Sequence, residues 1–561
     1  MTFKHILIFT LATCILSSVL GAQKAALAQE EEDLRPAILR VNYNDLESFG
    51  LYTNPREGSL GRDLWDNSRR SLITGLLPKL PLPGKSPSQQ KMLMGALLTA
   101  ANARLIEDDI DIEPGKDVLT LRLEKLNAMG AYKQSFQIYS ALGSEPYHIN
   151  LAKAGTTALL FNGERSLACL EYKTMEDRAF ESEFWNEITR YCRYVLAGEN
   201  KEDVKNAQSG LKESKLPTLR SIAANKDYSI NHGTNSFKKI SELEKAILVA
   251  ENRVNWPDIS TAFLQKLPLN QLGIFLARPD LEPTEEFLIK VQAAKRGLIH
   301  PHMLGEFYDD IYENELRQAE SADGLGWKKI AYAYHHLQKE RADSDKWQHI
   351  LSVYPFIDTY GPIVLSPFAA HMQTINIEGQ SDSIIENALR IINYAGENIP
   401  GQWIKHFESR ENSSKFDLSL YFLAQIWQEE SSDDMLEDPK IQAFLQDRGK
   451  KLQLNYYNII ENLDKRFENI HNADEIYGNE LDLTFTENYV MPMPRVWDRF
   501  VNSSQNKRIG ETVLLSTVML RKQSLGYHYP GVARDVLLSF NNVGLTKTSK
   551  NLVLELVLEQ L

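Results

Sequence analysis

The chain has 561 residues, and its 75 acidic and 62 basic side chains give a formal net charge of −13. This acidic balance argues against a surface for nucleic acid or for anionic lipid. With 43% hydrophobic residues the chain can bury a large core, but at this length a single compact globule is not expected. We therefore predict several domains or an elongated array, with no nucleic-acid partner.

The first residues have the pattern of a secretory signal peptide. Lys4 supplies the positive charge, Ile6 to Leu20 supply the apolar run, and Ala26-Leu27-Ala28 is an A-x-A cleavage signal. No segment is apolar for long enough to be a convincing membrane anchor. Leu11 to Cys14 faintly resembles a lipobox, which leaves lipidation as an alternative. We predict a signal peptide at 1–28 and a periplasmic or secreted mature chain without an integral membrane segment.

Most of the chain alternates short helical patterns with glycine turns. This alternation resembles tetratricopeptide-type helical pairs, although the 34-residue consensus of those repeats is missing. We predict an all-α fold, an irregular α-solenoid of helical hairpins that is elongated or curved. The predicted regions are an N-terminal helical region at 29–115, the α-solenoid at 116–353, and a C-terminal helical region at 354–561 that continues the solenoid.

Several stretches depart from this alternation. The proline-rich stretch 354–380 is predicted as a bent buried connector or a short strand, and 478–494 is a second break of either kind. The polar stretch 200–235 is predicted to contain a mobile loop. Near the N-terminal end, 63–77 is predicted as one amphipathic helix.

The clearest pattern lies between residues 151 and 199, where three short helices are predicted at 151–161, 165–175 and 182–197. The third helix carries one apolar stripe of helical period, formed by Phe184, Trp185, Ile188, Tyr191, Cys192, Val195 and Leu196. Glu181 and Glu183 lie at its positive end, and Gly198 is a candidate C-cap. This stretch therefore predicts a tightly packed helical hairpin.

Two of the three cysteines, Cys169 and Cys192, remain after signal cleavage. An even pair in an exported chain favours a disulfide, although two buried thiols are the alternative. Both cysteines lie two to three turns from the link between their helices, so antiparallel packing brings them within reach of each other. We predict a structural, partly buried Cys169–Cys192 disulfide, and we expect Cys192→Ser to lower the thermal midpoint under oxidising conditions and to leave it nearly unchanged under reductant.

The histidines give weak metal signals. His336 and Glu340 are one helical turn apart, but the glutamate that a zincin motif requires beside the first histidine is absent. His300-Pro301-His302 lacks a third ligand at a known spacing. Exposed or half-buried helix faces explain both patterns better, and we predict no metal and no cofactor.

The sequence lacks the complete motifs of secreted hydrolases and of nucleotide-binding proteins. The chain has no G-x-S-x-G and no glycine-rich phosphate loop. Lytic transglycosylases pair a long helical domain with a catalytic Glu-Ser pair, and such pairs occur at Glu181-Ser182, Glu408-Ser409 and Glu430-Ser431, but without the rest of that motif. Carboxylate pairs such as Glu429-Glu430 and Asp433-Asp434 are typical of solvated helix faces. We predict no catalytic residues.

Several short stretches resemble a family of uncharacterised exported proteins of alphaproteobacteria, sometimes labelled as related to antifreeze glycopeptides. The resemblance is carried by Gly61 to Trp65, Leu80 to Pro83, Phe184-Trp185 with Tyr191-Cys192, Arg508 to Leu515, and Val543 to Leu545. The chain lacks the regular threonine arrays that an ice-binding face uses. The resemblance implies export but no activity that can be assigned to residues here.

These patterns favour a non-catalytic scaffold or adaptor of the bacterial cell envelope that binds a protein or peptide on an extended helical surface. One alternative is an envelope hydrolase that uses carboxylates, or an unrecognised His/Glu site, in a cleft of the array. A purely structural part of a larger envelope assembly is a third possibility.

Overall fold

The structure is a computed structural model of the full chain. It describes residues 46–81, 86–112, 115–143, 148–175, 182–198, 201–226, 228–232, 235–278, 280–319, 324, 326–411, 414–427, 438–446, 490–521 and 523–559. The predicted signal peptide at 1–28 and most of the break at 478–494 lie outside these ranges.

The described chain is all-α, as predicted, apart from one two-stranded parallel sheet. The helices of the first part are α1 (Arg70–Leu76), α2 (Pro87–Leu98), α3 (Val118–Met129), α4 (Tyr132–Ser140), α5 (Ile149–Phe161), α6 (Arg165–Met175), α7 (Glu183–Val195), α8 (Lys201–Lys212) and α9 (Pro217–Ala223).

The middle part contains the small sheet and short helices. Its elements are β1 (Ile230–Asn231), α10 (Asn235–Lys239), α11 (Glu242–Ala250), β2 (Val254–Asn255), α12 (Thr261–Lys266), α13 (Leu269–Leu276), α14 (Pro283–Lys295), α15 (His302–Ile311), α16 (Lys329–Leu337), α17 (Asp343–Val353), α18 (Pro355–Tyr360) and α19 (Ala369–Met372). A π-helical turn at Tyr312–Leu316 extends α15.

The last part is again helical. Its helices are α20 (Asp382–Ala395), α21 (Gly401–Ser409), α22 (Lys415–Trp427), α23 (Pro439–Gln446), α24 (Pro494–Gln505), α25 (Ile509–Leu520), α26 (Pro530–Asn542) and α27 (Thr546–Leu558).

Side-chain caps and glycine turns set the ends of the helices around the central hairpin. The Asp117 carboxylate accepts a hydrogen bond from the Thr120 backbone N–H at 2.8 Å and starts α3. Gly130 ends that helix in the left-handed region, with φ 86°. The Ser182 hydroxyl caps α7 at the Trp185 backbone N–H. Ser182 lies where the third helix of the hairpin is predicted to start, and α7 ends at Val195, two residues before the predicted end.

One predicted boundary is wrong, and one polar stretch is largely helical. Helices α8 and α9 occupy much of 200–235, which was predicted only to contain a mobile loop, and Leu211 anchors α8 in the core. The helix predicted at 63–77 begins only at Arg70, since Asn67 has a positive φ of 52° that interrupts it. The periodic apolar residue Trp65 is nevertheless buried, in the turn that precedes α1.

The sequence pattern did not predict the parallel pairing of β1 with β2, in which Ile230 lies opposite Val254. The break at 354–380 contains α18, a 3₁₀ helix at Pro362–Phe368 and α19, followed by an extended stretch outside any strand. That stretch is tied down by Trp403, whose indole N–H donates to the Ile375 carbonyl at 2.7 Å. The connector is therefore bent and buried rather than a strand.

The two ends of the described chain pack against each other. Helices α1 and α2 contact α25, and α2 also contacts α27. Gly510 allows the closest approach, because its backbone N–H donates to the Leu64 carbonyl at 2.7 Å beside the buried Trp65. This contact brings together segments that are more than 400 residues apart in sequence.

Candidate docking groove

A cavity of about 780 Å³ opens along α3, α5, α7 and α11 in the central part of the fold. Each of the first three helices lines it with one turn of side chains, at spacings that place them on one helix face. The lining residues include Glu124, Asn127 and Ala128 of α3, Lys153, Ala154 and Thr157 of α5, Glu183, Phe184 and Glu187 of α7, and Glu242 and Leu243 of α11. The cavity is thus a groove between packed helices, and we call it the acidic groove.

Phe184 forms the aromatic part of the groove wall. Its ring packs edge-on against the fully buried Trp185, with ring centroids 5.1 Å apart. The Lys153 ammonium lies over the Phe184 ring at 5.3 Å from its centroid, within the range of a cation–π contact. The half-buried Phe184 therefore offers a ring face that already accepts a cation.

Four glutamates and one lysine line the groove. Basic side chains next to it pair with three of these glutamates: Lys215 lies 3.3 Å from Glu183, Arg190 lies 2.9 Å from Glu187 and Lys245 lies 3.5 Å from Glu242. Glu187 is held in place, since its carboxylate accepts from the Lys215 backbone N–H at 3.1 Å and from Arg190 at 2.9 Å. Burial, with a smaller contribution from Asp117, raises the pKa of Glu124 despite the opposing charge of Lys153.

Glu242 is held at the start of α11 by a contact with a buried tyrosine. The Tyr132 hydroxyl donates to its carboxylate at 2.6 Å. Burial and the charge of Glu242 raise the pKa of Tyr132 well above its usual value, so the phenol stays a donor. Glu242 also lies in the first turn of α11 and Glu183 in the first turn of α7, where negative charge stabilises the helix.

The predicted cysteine pair lies behind this groove. The structure joins Cys169 of α6 to Cys192 of α7 by a disulfide with a Cα separation of 5.0 Å, and both residues are fully buried. Cys192 is on the stripe of α7 that faces the core, while Glu183, Phe184 and Glu187 of the same helix face the groove. The disulfide therefore fixes the helix that carries the groove wall.

The histidines considered as metal ligands lie elsewhere. His336 stacks on His349 at 5.9 Å between ring centroids, and Glu340 lies 3.6 Å from the His349 ring nitrogen. Burial, followed by the neighbouring histidines, lowers the pKa of His336. The structure does not bring Glu340 into a shared ligand set with His336, since no group of three or more potential ligands is placed to hold a metal within the described ranges.

The second histidine pair is compact. The Nδ1 atoms of His300 and His302 are 2.6 Å apart, and His302 lies 3.6 Å from Glu306.

Of the Glu-Ser pairs, Glu408-Ser409 ends α21, where Gln425 donates to the Glu408 carboxylate at 3.5 Å. Glu181 and the pair Glu430-Ser431 lie outside the described residues, as do Glu429, Asp433 and Asp434.

Sequence reasoning identified Phe184 and Glu183 as helix residues but missed the groove that they line. The residues that complete it, such as Glu124, Lys153 and Glu242, belong to helices that are 30 to more than 100 positions apart. Each helix carries a polar patch at one-turn spacing, which is the signal available in the sequence, but such patches are typical of any solvated helix face. Only the packing of α5 against α3 and α11 brings them together.

Comparison with protein families, curated proteins and solved structures found no match to this chain. The resemblance to exported alphaproteobacterial proteins therefore stays a prediction. Among the described helices, none combines the length and the apolar character that crossing a membrane requires.

Proposed function

We propose that this protein is a non-catalytic scaffold or adaptor of the bacterial cell envelope and that it binds a partner protein or peptide in the acidic groove. The observation that carries this proposal is the combination of a groove of about 780 Å³ with a half-buried aromatic side chain and an excess of carboxylates in its lining. A concave surface between helices is the usual place for a peptide to lie on a helical array.

The charge of the groove defines the partner. Among the lining side chains of the groove four are glutamates and one, Lys153, is basic. Glu187 is buried and paired with Arg190, so Glu124, Glu183 and Glu242 are the carboxylates that can meet a cation. A complementary segment carries lysine or arginine on both sides of an apolar or aromatic anchor, because the anchor then packs on Phe184 while the cations meet the carboxylates. Such an interaction weakens as the salt concentration rises.

The proposal also covers the solenoid architecture and the cellular location of the protein. The alternation of short helices supports an irregular solenoid as the scaffold that presents the groove. A disulfide is typical of proteins from oxidising compartments, and together with the pattern at 1–28 it supports a periplasmic or secreted location. In this setting the adaptor works by holding its partner rather than by transforming it.

A photo-crosslinking amino acid in place of Phe184 tests the proposal in cells. We expect it to capture a discrete partner whose crosslinked region is basic. The matched control is the same amino acid in place of Leu170, which is 51% exposed on α6 and outside the groove. Equal capture from both positions, or capture of a region without basic residues, would contradict the proposal.

A defined peptide tests the charge requirement in vitro. The probe is a short peptide with a central phenylalanine flanked by lysines, compared with a version in which glutamates replace the lysines. We expect only the lysine peptide to bind, and Glu124→Lys to weaken it by about tenfold, which corresponds to about 1.4 kcal/mol. Glu164→Lys reverses the charge of an exposed glutamate outside the groove and should leave the affinity unchanged.

A further inference from the structure

A second cavity, of about 390 Å³, lies where the two ends of the chain meet. It is lined by the turn at 55–60, by α2, by His300, by the end of α20 and by the first turns of α27. These segments come from widely separated parts of the sequence, so the cavity exists only in the folded chain. We call it the junction cavity.

Lys91 of α2 projects its ammonium into the junction cavity. The ammonium donates to the Ala395 carbonyl at the end of α20, and that is the one acceptor that the described residues provide. A lysine ammonium has three N–H donors, so the contact with α20 leaves two donors that no described acceptor takes up. Burial, followed by the charge of Lys547, lowers the pKa of Lys91 to about 7.

The backbone at the end of α20 leaves room for the Lys91 side chain. Gly396 has a φ of 67°, in the left-handed region, and a Cβ atom there would collide with the Lys91 side chain. A glycine therefore lets the charged group approach the turn closely. The position of Lys91 is part of the fold rather than one rotamer of a surface lysine.

Asn551 gives a second, independent observation at this cavity. Its side chain is only 6% exposed and lines the junction cavity, and its Oδ1 atom has no hydrogen-bond donor in the structure. Buried amide oxygens are rarely left unpaired, so this acceptor calls for a donor from the cavity. At the mouth, Lys547 lies 3.5 Å from Glu397 and is about half exposed.

We propose that the junction cavity binds a small organic acid whose anionic group lies against Lys91 and Lys547 and whose hydroxyl or amino group donates to Asn551. The cavity has the size of a small-molecule site. The anionic group is a carboxylate or a phosphate, since both accept from ammonium donors.

Binding should take up a proton. The charged and titratable groups facing Lys91 are Lys547, Glu397, Glu555, His300 and His302. The pKa of His300 is lowered to about 2, chiefly by burial and next by Lys91, so His300 stays neutral and does not compete. A bound anion favours the protonated form of Lys91, and affinity is therefore expected to fall as the pH rises from 6 to 8.

Calorimetric titration of the full mature chain tests the proposal with four probes: butyrate, 2-hydroxybutyrate, 2-aminobutyrate and inorganic phosphate. The two substituted acids should bind at least fivefold more tightly than butyrate, because only they supply a donor. Comparison of inorganic phosphate with the carboxylate probes shows which of the two anionic groups the cavity prefers. Buffers with different heats of ionisation measure the proton uptake, which we expect to be a fraction of a proton near pH 7.

Variants assign the binding to this cavity. Lys91→Gln should weaken binding at least tenfold and abolish the proton uptake, and Lys547→Gln, at the exposed rim where folding is not at risk, should weaken it severalfold. Lys405→Gln removes an exposed lysine outside the cavity and should change nothing. No saturable heat with any probe, or equal binding by Lys91→Gln and Lys547→Gln, would overturn the proposal. Equal affinity for butyrate and its substituted forms would overturn the role of Asn551.

Discussion

Two buried carboxylates, Glu511 of α25 and Glu555 of α27, tie the C-terminal helices to the N-terminal segment in different ways. Glu511 accepts from the Arg69 backbone N–H at 2.6 Å and from the Arg69 guanidinium at 3.2 Å, and Arg508 lies 3.7 Å away. Glu555 accepts only from neutral donors among its described contacts. These are the Ser86 hydroxyl at 2.5 Å and the Ser88 backbone N–H and hydroxyl at 2.8 and 2.6 Å.

The difference lies in how each site compensates for the loss of water around a carboxylate. Glu511 meets positive charge, and its hydrogen bond raises the pKa of Arg69, so the guanidinium stays charged. Glu555 has no cation among its hydrogen-bond donors, and burial raises its pKa to about 7 although the serines oppose the shift. The first contact is therefore a fixed ion pair, whereas the second changes with pH.

The largest effect should come from removing the ion-paired carboxylate. Glu511→Ala leaves the Arg69 guanidinium and the buried Ser503 hydroxyl without their acceptor. We expect a loss of about 3 to 5 kcal/mol in the free energy of unfolding, measured by denaturant titration at pH 7. Glu164→Ala, at an exposed site, should change it by less than about 0.5 kcal/mol. A loss below about 1 kcal/mol for Glu511→Ala would show that this ion pair does not hold the ends together.

This contrast also shows how much of the molecule can be predicted from its sequence. The all-α class and the three helices around Cys169 and Cys192 follow from apolar periodicity and glycine turns, which are local. The partners Ser88 and Glu555 are 467 positions apart, and nothing in either local pattern pairs them. The acidic groove was missed for the same reason, because its side chains converge only after helices distant in sequence have packed.

The next effect is the pH dependence that Glu555 gives to stability. Its pKa rises from 4.5 in the unfolded chain to about 7 in the folded protein, so between these values the folded state retains a proton that the unfolded state releases. Stability should therefore fall as the pH rises from about 4.5 to 7, by about 2 to 3 kcal/mol. Lys91 does not titrate strongly over most of this window, because its own pKa is lowered only to about 7.

Glu555→Gln isolates this contribution. The amide keeps the shape of the side chain but does not titrate, so the fall in unfolding free energy between pH 4.5 and 7 should shrink by most of that amount. Glu511→Gln is the matched comparison and should leave the fall in place while lowering stability at every pH in the window. An unchanged pH profile for Glu555→Gln would mean that Glu555 is ionised throughout, and the two contacts would then be alike.

The smallest effect tests whether the contact between the ends is sterically tight as well as polar. A Cβ atom at Gly510 would overlap the Trp65 ring and lie 2.7 Å from the Leu64 carbonyl oxygen, so Gly510→Ala forces α25 away from the turn that holds Trp65. Overpacking of this kind costs about 1 to 3 kcal/mol.

Gly75→Ala is the matched control, because Gly75 also lies inside a helix but has no atom within 4 Å of its added Cβ. That change should stabilise the protein by about 0.5 to 1 kcal/mol, through helix propensity alone. If thermal denaturation shows that Gly510→Ala destabilises the protein and Gly75→Ala stabilises it, the destabilisation comes from the contact between the two ends of the chain. A stabilising Gly510→Ala would show that the segment around Trp65 gives way easily, and the hydrogen bond from Gly510 to Leu64 would then contribute little to closing the chain.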